Sequence, residues 1–315
     1  MNTGTKFIEI QRTAKAIFNE VNKIIVGKND LIDHLIISLL SEGNILMEGY
    51  PGVAKTTIAK TFASALGCDF KRIQFTPDIM PADITGTYIY NQKTGTFELR
   101  KGPVFANIVL ADEINRTSPK SQSALLECME ERQVTLEGKT IPVPRPYMVI
   151  ATQNPIDLEG TYPLPEVQID RFLFKLEVKY PDEKEELEIL VRKDKDLFNE
   201  IKKVSSPAEI TGLINAVKKV YIDEKVLIYI RNLVLKTRNN KDLLIGASPR
   251  ASIALLNASK SLAAIQGRSY VIPDDVKHLL PAVLRHRLIL SPESEFGGVS
   301  VNDVIQDALD SVEVL

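Results

Sequence analysis

Residues 49–56 read Gly49-Tyr50-Pro51-Gly52-Val53-Ala54-Lys55-Thr56, and Thr57 follows. This is the phosphate-loop pattern G-x-x-x-x-G-K-[ST] with alanine at the second glycine. In such a loop the backbone from Gly49 through Pro51, Gly52, Val53 and Ala54 wraps phosphate oxygens, with N–H groups donating. Lys55 reaches the outer phosphates, the Thr56 hydroxyl can hold Mg²⁺, and Thr57 sits with them in the first helical turn. Alanine adds only a methyl group and serves where the backbone has an ordinary negative φ. Residue 54 is therefore expected with φ below zero and its N–H aimed at the phosphates. A second signal is Asp112-Glu113, directly after the apolar run Ile108-Val109-Leu110-Ala111. Two carboxylates at one strand end serve different needs: Asp112 can hold Mg²⁺ as the acidic partner of Thr56, and Glu113 can orient and deprotonate an attacking water. Asn154 follows another apolar run, 148–152, and its amide can hydrogen-bond both a γ-phosphate and that water. Taken singly, these segments are a Gly/Pro turn, an acidic turn and an Asn-Pro turn. In this order on neighbouring strands they describe a nucleotide site.

The elements around them have the required periodicities. Residues 44–47, 70–75, 107–111, 147–152 and 172–178 are short apolar runs that read as buried strands. Helical spacing covers 6–25, 30–41, 55–66 and 118–131, with Gly67 as a stop and Ser118-Pro119 as a start. Five apolar strands separated by helices predict a parallel sheet with helices on both faces, and ligands of such sheets bind at the C-terminal strand ends. Residues 76–103 and 133–143 interrupt the alternation and read as hairpins turning at Thr94-Gly95 and Glu137-Gly138-Lys139. After Tyr180-Pro181 the chain is helical, with start signals at Ser206-Pro207, Asp223, Ser248-Pro249 and Pro273-Asp274. One short extended piece near 287–290 interrupts it. The domain boundary is set near 181, giving an α/β domain over 1–181 and a helical domain over 182–315.

Composition narrows the class. The 315 residues are 44% hydrophobic and 25% charged, with a net charge of −2. That describes an ordinary soluble chain and argues against a strongly basic nucleic-acid surface. Met1 to Arg12 holds no continuous apolar core, no run approaches a membrane span, and Cys68 and Cys128 give neither a disulfide framework nor metal spacing. A cytoplasmic protein is expected.

The chain resembles AAA+ ATPases, and among them the MoxR family. The resemblance rests on residues 49–56, Pro81-Ala82-Asp83-Ile84-Thr85-Gly86, Leu110-Ala111-Asp112-Glu113-Ile114-Asn115-Arg116, Ala151-Thr152-Gln153-Asn154-Pro155, Ile169-Asp170-Arg171-Phe172 and Gly246-Ala247-Ser248-Pro249-Arg250-Ala251. They occur in the family's order over roughly residues 20–290. Alanine at position 54 is common in that family. The resemblance implies a P-loop NTPase fold with a five-stranded parallel sheet, followed by a smaller all-α lid. It implies ATP and Mg²⁺ as cofactors and Mg²⁺-dependent hydrolysis to ADP and phosphate. Lys55 and Thr56 match the Walker A pair, Asp112 and Glu113 the Walker B pair, and Asn154 the first sensor. Arg250 matches the second sensor, which touches the γ-phosphate of its own subunit. Val26 and Gly27 match the loop beside the adenine. Arg171 matches the arginine finger that enters a neighbour's site, with Arg116 as the competing arginine. Residues 76–103 match a helix-2 insertion and 133–143 a pre-sensor-1 hairpin, with Tyr88, Tyr90 and Phe97 as candidate partner contacts. The implied assembly is a hexameric ring that remodels or matures a client protein complex, in some cases beside a von Willebrand factor A domain protein. The alternatives are a subunit of a metal-chelatase-like complex, a nucleic-acid-associated motor and an idle nucleotide-binding scaffold.

Overall fold

The computed structural model describes residues 3–154, 161–197 and 200–314. The chain opens with helices α1 (Thr3–Val21) and α2 (Asn29–Leu40), then strand β1 (Ile45–Glu48), which leads into the phosphate loop and α3 (Lys55–Leu66). Strand β2 (Phe70–Gln74) is followed by the short α4 (Pro81–Thr85) and the hairpin β3 (Gly86–Asn91) and β4 (Thr96–Lys101). Strand β5 (Ile108–Asp112), α5 (Pro119–Glu131), the hairpin β6 (Gln133–Leu136) and β7 (Lys139–Pro142), and β8 (Met148–Gln153) come next. The short α6 (Glu166–Ile169) precedes β9 (Phe174–Glu177).

Five strands form one sheet in the order β2-β5-β8-β1-β9, and every neighbouring pair is parallel. All five residues of β5 and the first five of β8 are buried, as strands covered on both faces require. Val109 and Val149 in these strands pack with α5 on one face, while Ile108 and Met148 pack with α1, α2 and α3 on the other. Parallel order matters for function, because it sends every strand's C-terminal end to one edge and every N-terminal end to the other.

Beyond β9 the chain is mostly helical: α7 (Glu183–Asp194), α8 (Pro207–Val217), α9 (Glu224–Arg238), strand β10 (Leu243–Ile245), α10 (Pro249–Ile265), α11 (Pro273–Leu284), strand β11 (Ile289–Leu290), α12 (Pro292–Phe296) and α13 (Val301–Ser311). Ser206, Asp223 and Ser248 cap α8, α9 and α10 through their side chains, as their sequence positions suggest. The extended piece near 287–290 is β11, and its antiparallel partner β10 was not legible beforehand. Helix α10 is packed against α1, α2, α9 and α11, and α11 also lies against β9.

The first helix ends earlier than its periodicity predicts. At Val21 the backbone tightens, with Lys23 N–H bonding Glu20 C=O and Ile24 N–H bonding Val21 C=O. The freed carbonyls of Asn22 and Lys23 accept from Arg192 of α7, at 2.9 and 3.1 Å. Ile24, Ile25 and Val26 thereby leave the helical register and face a pocket beside the phosphate loop.

Candidate functional site

The C-terminal edge of the sheet gathers the phosphate-loop residues and the acids. The loop runs from Gly49, at the end of β1, into α3, whose first residue is Lys55. The Lys55 ammonium is folded back onto the Gly49 carbonyl. The Thr56 hydroxyl donates to Asp112 Oδ2 at 3.2 Å, across the gap between α3 and β5. Thr152 of β8 ties the acids together. Its hydroxyl donates to Asp112 Oδ1 at 2.5 Å and accepts from the Glu113 backbone N–H at 2.8 Å. Two hard oxygen donors, the Thr56 hydroxyl and the Asp112 carboxylate, thus meet at one place, and this donor set suits Mg²⁺.

Arg72 and Gln74 of β2 engage the same carboxylates. Arg72 donates from Nε and Nη2 to Asp112 Oδ2, at 2.9 and 2.7 Å. Gln74 Nε2 donates to Glu113 Oε2 at 2.8 Å, and Arg116 Nη1 reaches the same oxygen at 3.0 Å. Glu113 is therefore held by Gln74 of β2 and by Arg116 through one oxygen. Asn154 is buried just beyond β8, at the same edge; Pro155 lies outside the described residues.

Beside the loop is an apolar pocket of about 350 Å³, lined by Ile24, Ile25, Val26, Val53, Pro181 and Ile189 among others, with Gly52, Ala54 and Thr57 on its phosphate side. Its apolar walls fit a flat purine ring. Gly27, at φ 71°, lies under Glu185 of α7; a Cβ there would fall 1.9 Å from Glu185 Oε1. Lys28 pairs with the same carboxylate at 3.4 Å. Helix α7 is thus tied to one wall of the pocket and supplies another.

The opposite, N-terminal edge carries a different, charged cavity of about 230 Å³. Four arginines (Arg132, Arg171, Arg250, Arg287) line it with three carboxylates (Glu42, Glu130, Asp170). Arg171 stands in the segment leading into β9, and Arg250 in the first turn of α10. Both are ion-paired to Glu130. Arg287, only 3% exposed, fastens the helical region to this segment. Its guanidinium donates to Asp170 Oδ1 at 2.7 Å and to the backbone carbonyls of Asp170, Phe172 and Leu173 at 3.0, 2.6 and 3.2 Å. Burial pushes the Glu42 carboxyl up, but Lys218, Arg132 and Arg145 outweigh it and hold it below the usual carboxylate range.

Comparison with known proteins decides the family. The family model described as "ATPase family associated with various cellular activities (AAA)" matches residues 44–174, and an AAA lid domain matches residues 235–308. Chaperone MoxR1 of Mycobacterium tuberculosis is 45% identical over 96% of this chain and 82% of its own length. The chain is a member of the MoxR family of AAA+ ATPases. The uncharacterised protein YeaC of Bacillus subtilis is 47% identical over 93% of this chain and 92% of its own. The crystal structure of a candidate ATPase from Cytophaga hutchinsonii superposes with a TM-score of 0.92 at 43% identity, covering 99% and 97% of the two chains.

Two expectations for this MoxR protein need correction. Ala54 has φ 62° and ψ 20°, a left-handed residue, not one with φ below zero. The turn that enters α3 imposes this. Gly52 is also left-handed at φ 85°, and alternating such residues turns successive N–H groups into one concavity. The methyl group therefore sits in a conformation L-residues disfavour by about 1–2 kcal/mol. The second correction concerns Arg250. It was expected at the γ-phosphate of its own subunit. It instead lies with Gly43 and Asn44, before β1, and with Arg171, before β9. The four residues of β1, about 13 Å of strand, separate that edge from the phosphate loop. The cause is the seat of α10, which packs on α1 and α2 and so carries Arg250 behind the sheet. Arg116, by contrast, belongs to the C-terminal edge through its pair with Glu113.

The residues that sequence reading missed share a signature. Thr152, Gln74 and Arg72 are all polar side chains within strands: Gln74 stands opposite Asp112, Arg72 lies two residues earlier opposite Leu110, and Thr152 follows Ala151, the partner of Ala111. A threonine before the end of an otherwise apolar run was the available signal for Thr152.

Proposed function

We propose that this protein binds ATP with Mg²⁺ at the C-terminal edge of the sheet and hydrolyses it to ADP and phosphate within a homo-oligomeric ring. The segregation of charge carries this reading. Lys55, Thr56, Asp112, Glu113 and Asn154 stand at one edge, while Arg171 and Arg250 stand at the other. A chain cannot bring its own Arg171 to its own phosphate loop without dismantling the sheet. A head-to-tail contact places one subunit's arginine edge against the next subunit's nucleotide edge, and repetition of that contact closes a ring. Six subunits is the number the family resemblance supports.

In this reading Val26, Gly27 and Val53 receive the base, and the turn from Gly49 through Pro51, Gly52 and Ala54 receives the phosphates with Lys55, Thr56 and Thr57. Thr56 and Asp112 hold Mg²⁺, which neutralises charge on the phosphate oxygens when bound. Arg72 gives up Asp112 as this happens. Glu113, released from Gln74, takes a proton from the attacking water, and Asn154 fixes the direction of attack. Arg171 and Arg250 arrive from the neighbour and stabilise charge on the transferring phosphoryl group.

The work done is remodelling or maturation of a client protein complex. Two hairpins support this: β3–β4 exposes Ile89, Tyr90 and Phe97, and Lys139 of β6–β7 lies over the Tyr88 ring at 5.4 Å. A von Willebrand factor A domain protein is the partner class that the family resemblance adds. Among the described residues no helix is long and apolar enough to cross a membrane. The test is ATP binding and Mg²⁺-dependent hydrolysis by the wild type and by Lys55→Ala. The variant is expected to bind ATP at least about a hundredfold more weakly, a loss of about 2.8 kcal/mol; tight binding by it would sink the loop assignment.

A further inference from the structure

Glu130 lies in the last turn of α5 at the arginine edge. Its two oxygens are divided between two arginines: Oε2 pairs with Arg171 Nη1 and Oε1 with Arg250 Nη2. The arginines come from distant parts of the chain, one before β9 and one in α10. Two guanidiniums therefore close on one small anion with two adjacent oxygens. Two oxygens of a terminal phosphate offer a similar pair of acceptors. The fork also has donor capacity that Glu130 does not use, since Arg171 Nε is buried without a hydrogen-bond partner. Asp170 does not play the same part. Its oxygens are engaged by Arg287 at 2.7 Å and by the Ser248 hydroxyl at 2.8 Å, and it stands 4.0 Å from Arg250.

We propose that Glu130 is an internal stand-in for the neighbouring subunit's γ-phosphate, holding Arg171 and Arg250 side by side in the separate chain and yielding them when the ring closes. This rests on the reading that both arginines act across the subunit contact. Exposure makes the hold releasable. The side chains of Glu130, Arg171 and Arg250 are 36%, 30% and 45% exposed, so water screens each pair. Such pairs are weak, and removal of the carboxylate should ease assembly by about three- to tenfold rather than by orders of magnitude. A γ-phosphate offers the two arginines more acceptor oxygens than one carboxylate and is fixed in place by the bound nucleotide. A docked neighbour can therefore take both arginines from Glu130, and separation of the subunits returns them to it.

Glu130→Gln keeps the shape and removes the charge. ATP hydrolysis is measured against protein concentration, and ring formation is followed by sedimentation with a non-hydrolysable ATP analogue. The midpoint concentration should fall about three- to tenfold in both, with plateau turnover within about twofold of wild type. Thermal unfolding checks that the variant is folded, and Glu130→Ala must move the midpoint in the same direction. An unchanged or higher midpoint overturns the proposal, as does a plateau loss of about tenfold or more, which would make Glu130 an aligner needed in the finished ring. Failure of the underlying reading shows separately. Arg171→Ala mixed with Lys55→Ala would then recover no hydrolysis in rings that demonstrably form.

Discussion

The two edges of the sheet solve opposite problems with charge. At the C-terminal edge, phosphate binding is assigned to the backbone: a left-handed turn, the start of α3 and one lysine. Two acids are fixed there by Thr152, and their other partners, Arg72 and Gln74, are side chains that can move away. The N-terminal edge is built from side chains instead. Guanidiniums carry the positive charge and internal carboxylates hold them, with Arg287 anchoring the whole group to the helical region. At the first edge the arginines Arg72 and Arg116 are paired to the two acids. The second gathers Arg132, Arg171, Arg250 and Arg287 in one cavity. In the proposed ring, each edge supplies what the neighbouring subunit's other edge needs.

The strongest way to break this comparison is to remove the arginines. Arg171→Ala is expected to keep ATP affinity and lose hydrolysis by about 10³-fold, in line with arginines supplied from a neighbour. Arg250→Ala should lose about 10- to 100-fold. Mixing either variant with Lys55→Ala should restore part of the activity, because a subunit with a disabled loop still offers intact arginines to its neighbour. Recovery for Arg171→Ala but not for Arg250→Ala would return Arg250 to its own subunit's site and contradict its place behind the sheet.

Removal of the base tests the other edge. Glu113→Gln should bind ATP normally and hydrolyse it about 10²-fold more slowly, and mixing with Lys55→Ala should recover little, since neither variant has a complete site. Undiminished turnover would take the base role from Glu113. The contrast between recovery for the arginine variants and its failure for Glu113→Gln is the sharpest statement of the two-edge comparison.

Arg287→Lys probes how the helical region reaches the arginine edge. Lysine keeps the charge but cannot serve a carboxylate and three carbonyls at once. The melting temperature should fall, ATP affinity should hold, and hydrolysis should drop about tenfold with recovery on mixing with Lys55→Ala. Loss without recovery would mean that Arg287 supports the fold alone and does not act through Arg171.

The contrast between the edges also explains what could be read beforehand. The C-terminal edge is written locally. Phosphate loop, acid pair and Asn154 each follow their own strand within a few residues, and parallel strands must bring those positions together. The five strands and the long helices were legible for the same reason, since apolar periodicity is a local property. The N-terminal edge is not local. Glu130, Asp170, Arg171, Arg250 and Arg287 meet only because α10 and α11 pack on α1, α2 and β9, and no spacing in the chain encodes that seat. For the same reason Arg250, expected beside the phosphate loop, lies at the opposite edge. Strand β10 was missed because three residues, Leu243–Ile245, carry too little alternation to register.

Ala54 is the smallest test and bears on the receiving edge alone. At φ 62° its methyl group is strained, so Ala54→Gly relieves about 1–2 kcal/mol in the folded loop. The same change loosens the unfolded chain and returns about 0.4–1 kcal/mol. The net expectation is a gain in stability of about 0 to 1.6 kcal/mol, with ATP affinity within about threefold of wild type. Ala54→Val has no such compensation. A β-branched residue is poorly tolerated at positive φ, so this variant should lose stability and bind ATP more weakly. Denaturant midpoints and ATP titrations separate the cases. A loss of more than about 1 kcal/mol in Ala54→Gly would mean that residue 54 has an ordinary negative φ in solution, and the left-handed turn at the receiving edge would then be wrong.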